Sequence, residues 1–283
     1  MVIKQCFADA VRLLESRNIE DAHFDASQLL ESVFGFNITS DRCDEDADCT
    51  HFLEMINKRA EGYPLQYILG EWEFYGLPVK VGEGVLIPRQ DTETLVETVI
   101  KKNKTPAPVI LDLCSGSGCI ALALEKELAP KAVMAVEKSS RAGEFLKQNI
   151  SLNGSDVKAV IGDCLDKAVI DALPTADIIV CNPPYLTKED MLTLQREVAF
   201  EPEEALFGGD DGLDFYRDIT RAYKYRLNNN GMLAFEVGYT QAEEVMEILI
   251  QAGLEDVRSF EDYCGVRRVV IGFYTEKTHV KIY

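Results

Sequence analysis

From Val109 onward, short apolar runs alternate with amphipathic stretches, and this alternation restricts the fold more than any other feature of the chain. Residues 109–113, 132–136, 158–161, 177–181 and 232–236 have the length and apolar character of buried strands. Helical periodicity fills 120–128, 141–152, 215–227 and 241–252, and two later strands are expected at 257–260 and 268–274. Alternation of this kind folds as α/β, a mostly parallel sheet with helices on both faces.

The preceding segment reads differently. Ile3, Phe7, Ala10, Val11 and Leu14 form one helical stripe, and Leu29, Leu30, Val33 and Phe34 form another that ends at a C-capping Gly35. Five acids between Asp41 and Asp48 mark a solvated loop. Thr50 is the expected cap of a third helix carrying Phe52, Leu53, Ile56 and Ala60, closed by Gly62 and Pro64. Residues 1–72 are therefore expected to form a small helical bundle. Residues 73–90 read as a β-hairpin linker, with strands at 74–81 and 85–88 around Gly82-Glu83-Gly84. Asp91 is the expected cap of a helix that opens the third region, 91–283.

Lys and Arg total 29 against 48 Asp and Glu, a net charge of −19. Duplex DNA is held largely through Lys and Arg on phosphates, so direct DNA binding is not expected. The eight cysteines form no CxxC pair, and with three histidines the chain lacks zinc-site spacing, so no metal is expected. The thiols read as reduced and the protein as cytoplasmic. Residues 1–15 hold no signal-peptide core, and no apolar run of ~18 residues spans a membrane.

Two motifs carry chemistry. Asp112-Leu113-Cys114-Ser115-Gly116-Ser117-Gly118-Cys119 leaves the first α/β strand and enters a helix. Its glycines let backbone approach a ligand, and the helix start offers unpaired N–H groups. Glu137, after the next strand, is placed to accept both hydroxyls of a ribose, an arrangement shared by enzymes of NAD and of S-adenosylmethionine (SAM).

The second motif, Asn182-Pro183-Pro184-Tyr185, follows the run Ile178-Ile179-Val180-Cys181, at the strand edge where α/β sheets bind ligands. Two prolines fix two φ angles and remove two donors. The Asn182 oxygen and a prolyl carbonyl then make a rigid acceptor pair suited to an –NH₂ group, and Tyr185 offers a flat face to a planar amide or base.

Asn182 to Tyr185 resembles the motif of SAM-dependent methyltransferases that modify planar nitrogens. Leu86-Ile87-Pro88-Arg89-Gln90-Asp91-Thr92-Glu93 resembles an IPRPxTE segment, and residues 197–206 resemble EVxxxEPxxAL. Phe235-Glu236-Val237-Gly238 and Gln241 are similar to a strand-five signature. Together these motifs are similar to those of the HemK/PrmC family, which methylates the glutamine of the GGQ motif in class 1 peptide chain release factors and so tunes translation termination.

The resemblance implies a Rossmann-like SAM-dependent methyltransferase domain at 91–283, with residues 1–72 docking the protein substrate. It implies SAM as cofactor, S-adenosylhomocysteine as product and class 1 release factors as partners. Cys114, Ser115, Gly116, Ser117 and Gly118 become the cofactor loop, Glu137 the ribose ligand, and Asp163 and Cys164 the neighbours of the adenine. Asn182 touches both methyl donor and substrate, while Pro183, Pro184 and Tyr185 help to hold the glutamine amide. The catalytic set is Asn182, Pro183 and Tyr185. Cys114 stands where the family often has glycine, and Gln90 where it usually has proline.

The residues alone leave other classes open. A DNA or RNA amino-methyltransferase shares both motifs but is expected to carry a basic face. An NAD-dependent dehydrogenase shares the glycine loop and Glu137 but gives Asn182 to Tyr185 no role. A non-catalytic binding module has no need of both motifs intact.

Overall fold

The structure is a computed structural model that describes residues 1–276. The end of the third region, from 277 on, lies outside the described residues. The chain divides into two compact units, one of Met1–Glu71 with Leu194–Phe200, the other of Trp72–Thr193 with Glu201 onward.

The first unit holds α1 (Ile3–Ser16), α2 (Ala22–Phe34), α3 (Thr50–Ala60) and α4 (Leu65–Leu69). Phe7, Leu14, Leu29, Leu30, Phe52 and Ile56 form its buried interior. Gly35 ends α2 in the left-handed conformation, φ 73°, and its N–H reaches Glu31 O. Thr50 is the first residue of α3 rather than its cap. Cys49 stands at the cap without a side-chain capping bond, and Asp48 just before it accepts the Thr50 N–H at 2.9 Å. Arg59 is buried and donates to Asp25 at 2.6 Å, to Tyr63 O at 3.3 Å and to Glu197. Residues 194–200 thus join the helical unit through an ion pair and a Tyr63–Phe200 ring contact, which the local pattern around them does not announce.

The hairpin differs from expectation. β1 (Glu71–Phe74) and β2 (Leu77–Lys80) pair through a two-residue turn at Tyr75-Gly76, with φ 52° and 68°. Two successive positive φ angles match strand twist in a tight hairpin. Glu93 accepts the Tyr75 N–H at 2.9 Å and secures the turn. Residues 85–88 form no strand. The Val85 N–H goes to Gly82 O, the Ile87 N–H to the Glu201 carboxylate at 3.1 Å, and Pro88 has none to give.

α5 (Asp91–Lys102) follows. Asp91 lies inside its first turn and makes no capping bond, because its carboxylate pairs with Arg268 at 3.0 Å. The sheet then builds from β3 (Val109–Leu113), α6 (Cys119–Leu128), β4 (Ala132–Glu137), α7 (Ser140–Leu152), β5 (Lys158–Ile161), α8 (Lys167–Ala172) and β6 (Ala176–Cys181). After α9 (Lys188–Met191) come α10 (Asp214–Tyr223), β7 (Leu227–Glu236), α11 (Ala242–Gln251), β8 (Glu255–Glu261) and β9 (Arg267–Tyr274).

Among the described residues, seven strands form one sheet in the order β5-β4-β3-β6-β7-β9-β8. β3 to β7 are parallel, and β9 runs antiparallel between β7 and β8. The helix expected to reach residue 227 stops earlier, because Leu227 is buried and pairs with Ala176 in β6. The order reverses between β4 and β6 on either side of β3, and the carboxyl ends of these strands carry the glycine loop, Glu137 and Asn182. Such switch points are where α/β sheets bind ligands.

Candidate active site

The glycine loop leaves β3 with three positive φ angles, at Cys114 (56°), Gly116 (52°) and Gly118 (81°). Cys114 pays roughly 1–2 kcal/mol for a conformation that glycine adopts freely. Gly118 is favoured by its φ, and a Cβ there would also push the end of the Leu146 side chain of α7 aside. Asn149, on the same helix and fully buried, donates to Ser117 O at 2.9 Å and exchanges bonds with the Lys80 backbone, tying the loop to β2.

Glu137 ends β4 beside this loop. One carboxylate oxygen accepts the Gly116 N–H and the other the Ser139 N–H, each at 2.7 Å. Burial raises its pKa, and those two N–H groups act against the rise. Asp112, fully buried beneath the loop, accepts the Ala121 N–H at 3.2 Å, and burial pushes its pKa well up. Asp112 Oδ1 and Ser115 Oγ are buried with no hydrogen-bond partner among the described residues.

A cavity of about 760 Å³ opens here, wholly within the second unit. Cys114, Ser115, Gly116, Ser117, Glu137, Asp163, Cys164, Asn182 and Pro184 line it. Gly118, Pro183 and Tyr185 are not among its lining residues. Burial works against the Asp163 carboxylate, but the Leu165 N–H and the Lys138 ammonium at 2.9 Å outweigh it and lower its pKa. Cys114 and Cys164 bring their sulfurs within 3.9 Å. Among the described residues, no cluster of His, Cys, Asp and Glu could hold a metal ion, and no helix is long and apolar enough to cross a membrane.

Asn182 stands at the end of β6, where its Nδ2 donates to Thr92 Oγ1 at 3.4 Å. The Tyr185 and Leu186 N–H groups both bond Leu206 O, and Gln241 donates to Tyr185 O at 3.0 Å. The Tyr185 ring packs on the sheet's hydrophobic core, and burial raises its phenol pKa. Gly208 lies against this turn so closely that a Cβ would sit 2.6 Å from Tyr185 Cα and 2.7 Å from Pro184 O.

Sequence reasoning assigned no site role to Thr92, Ala205, Phe207 or Gly208, all of which line the cavity. The Gly208-Gly209 pair was the available signal. Arg89 pairs with the buried Glu201, the same carboxylate that accepts the Ile87 N–H, and so joins two cavity-wall segments.

The methyltransferase small domain family matches residues 89–207, and the PrmC N-terminal domain family matches residues 5–70. A release factor glutamine methyltransferase of Thermodesulfovibrio yellowstonii is 41% identical over 77% of this chain and 78% of its own length. Enzymes of the same name from Fusobacterium nucleatum and Geobacter sulfurreducens are 38% and 37% identical, over 94% and 92% of this chain and 77% and 92% of theirs. The chain belongs to the release factor glutamine methyltransferase family.

Solved structures agree on the fold of this release factor glutamine methyltransferase family member. A methyltransferase from Pyrococcus furiosus matches with a TM-score of 0.56 at 22% identity, over 72% of this chain and 91% of that one. The hMettl16 catalytic domain, solved in complex with a MAT2A 3′UTR hairpin, matches with a TM-score of 0.58 at 18% identity, over 80% of this chain and 84% of that one. Both share the Rossmann-like methyltransferase architecture, which the sheet order here reproduces.

Proposed function

We propose that this protein transfers a methyl group from SAM to the side-chain amide nitrogen of the GGQ glutamine in class 1 peptide chain release factors. The observation that carries the reading is Asn182, a neutral amide lining the cavity at the carboxyl end of β6, one strand away from the glycine loop.

The cavity suits SAM in size, since small-molecule sites span roughly 300–1,000 Å³. It also suits SAM in chemistry, because Ser115 Oγ in its wall is left without a partner among the described residues. Cys114, Ser115, Gly116, Ser117 and Gly118 would form the loop around it, with Asp163 and Cys164 beside the adenine. Each Glu137 oxygen accepts one N–H and keeps a lone pair for a ribose hydroxyl. When bound, SAM supplies a methyl group made electrophilic by its sulfonium.

An amide nitrogen is a poor nucleophile because its lone pair is delocalised, so the protein's task is positioning. The Asn182 oxygen and the Pro183 carbonyl accept the two amide hydrogens of the glutamine, and Pro184 and Tyr185 hold the turn that aims them. These acceptors favour the positive charge that develops on nitrogen. Proton loss follows transfer. Residues 1–72 dock the release factor, in the cytoplasm, without DNA or membrane.

Transfer of tritiated methyl from SAM to purified release factor, DNA and rRNA tests the reading. Label on the release factor alone is expected, and it disappears when the GGQ glutamine is replaced. Label on a nucleic acid alone would overturn it.

A further inference from the structure

Asn182 follows β6 and Glu236 ends β7. Cys181 and Phe235 are partners in that parallel ladder, so the two side chains start side by side at the sheet edge. The second residue of α5 reaches both: Thr92 Oγ1 accepts from Asn182 Nδ2 at 3.4 Å, and the Thr92 hydroxyl stands near enough to the Glu236 carboxyl to act against the rise in its pKa, while Glu236 Oε2 is buried with no hydrogen-bond partner among the described residues. Thr92 and Glu236 are each only 2% exposed.

A threonine hydroxyl carries one proton, and a carboxylate only accepts. With that proton given to Glu236, Thr92 meets Asn182 with a lone pair. Only the NH₂ end of Asn182 satisfies it, and the oxygen end is left for the cavity. We propose that Thr92 and Glu236 are positioning residues that set the amide orientation of Asn182, so that Oδ1 and not Nδ2 meets the substrate N–H. This rests on the reading of Asn182 as acceptor for the glutamine amide.

A protonated Glu236 reverses the chain. Its own O–H donates to Thr92, whose proton then turns toward Asn182 and favours the flipped amide. Burial holds the Glu236 pKa up to about 7. The groups that bear on it are Arg268 on β9, Asp91 on α5, Arg89 before it, Cys119 on α6, Tyr185 after β6 and Tyr216 on α10.

The test compares wild type, Thr92→Val, Thr92→Ser and Glu236→Gln in single-turnover methylation of release factor at saturating SAM. Thr92→Val is expected to lower the rate by about 10–100-fold, the usual cost of losing an outer partner that orients a site residue. SAM affinity by calorimetry stays within about twofold, and serine restores most of the rate. The wild-type rate climbs through neutral pH, and that step vanishes in Thr92→Val and Glu236→Gln. Hydrogen exchange of the ¹⁵N-labelled Asn182 amide, slower in wild type than in Thr92→Val, reads the same bond without a substrate. A Thr92→Val enzyme as fast as wild type, or serine as damaging as valine, overturns the proposal. A wild-type enzyme inactive on release factor overturns the functional reading instead. The amide exchange then decides alone, and equal rates in the two proteins reject the Thr92 bond.

Discussion

Glu137 accepts the N–H of Gly116 at 2.7 Å, so the acid that ends β4 is clamped to the loop that leaves β3. Because its other oxygen accepts from Ser139, the carboxylate is fixed before any ligand arrives. Replacing Glu137 by alanine removes charge-assisted bonds of ~1.5–3 kcal/mol each. SAM affinity measured by calorimetry is expected to fall more than tenfold, and unchanged affinity would remove Glu137 from the cofactor site.

Asn182 offers a rate test. Losing one positioned partner of the reacting amide is expected to slow transfer by roughly 10²–10³ in Asn182→Ala, by analogy with loss of an oxyanion-hole donor. Asn182→Asp keeps an acceptor oxygen but replaces the donor to Thr92 with a second acceptor. The expected order is wild type, then Asp, then Ala, with SAM affinity changing far less than the single-turnover rate.

Gly208 has no room for a methyl group, since backbone atoms of Pro184 and Tyr185 stand in the way. Gly208→Ala is expected to cost about 1–3 kcal/mol in denaturant unfolding, the range for overpacking. The strain falls on the Asn182 to Tyr185 turn, so methyl transfer drops with it. A variant of wild-type stability and rate would show that the turn yields freely.

In the helical unit, Arg59 and Asp25 form a pair whose side chains are 5% and 6% exposed. Arg59→Ala leaves the Asp25 carboxylate buried and unpaired, a loss of about 3–5 kcal/mol. Calorimetric unfolding is expected to show it. If residues 1–72 dock the release factor, methylation of that protein falls while SAM affinity holds.

Glu236 gives a pH signature. Its pKa is about 7 in the fold, raised chiefly by burial, against 4.5 for the ordinary side chain. Between those values the folded state keeps a proton that the unfolded chain has lost. Its contribution to stability is therefore complete below 4.5 and is lost as pH rises through 7. The slope approaches ~1.4 kcal/mol per pH unit. Asp112 shifts in the same direction, so the comparison must be with Glu236→Gln. Urea titrations of both proteins from acid to neutral pH are expected to show a slope difference that vanishes above neutrality.

The α/β sheet was legible because its signals are local. Apolar runs such as Ile178-Ile179-Val180-Cys181 mark strands wherever they occur, and Asn182 to Tyr185 announces itself by two fixed φ angles. What stayed hidden depends on distant partners. Tyr75 takes φ 52° although nothing in tyrosine favours it, so the hairpin was displaced onto the glycines at 82 and 84. Leu186 bridges Phe207, and Gly208 was not legible as part of the wall until that bridge placed it. Residues 194–200 belong with helices more than a hundred positions earlier. Thr92 stood out only as part of the IPRPxTE-like segment, without a role of its own, because its bond to Asn182 spans 90 positions.

Strand order and chain order disagree a second time beyond β7, and protein synthesis has to live with it. β7 pairs with β9, and β8 joins the sheet only through β9. A nascent chain therefore exposes the outer edge of β7, along residues buried in the finished sheet such as Met232 to Glu236, until 267–274 emerge. An open strand edge is a template for pairing with another chain. Arg268, the partner of Asp91 at the start of α5, arrives with the same strand. The stretch of synthesis between residues 237 and 267 is thus one in which an open edge calls for chaperone cover. A chain cut short there leaves both an open sheet and an unpaired Asp91 beside Thr92.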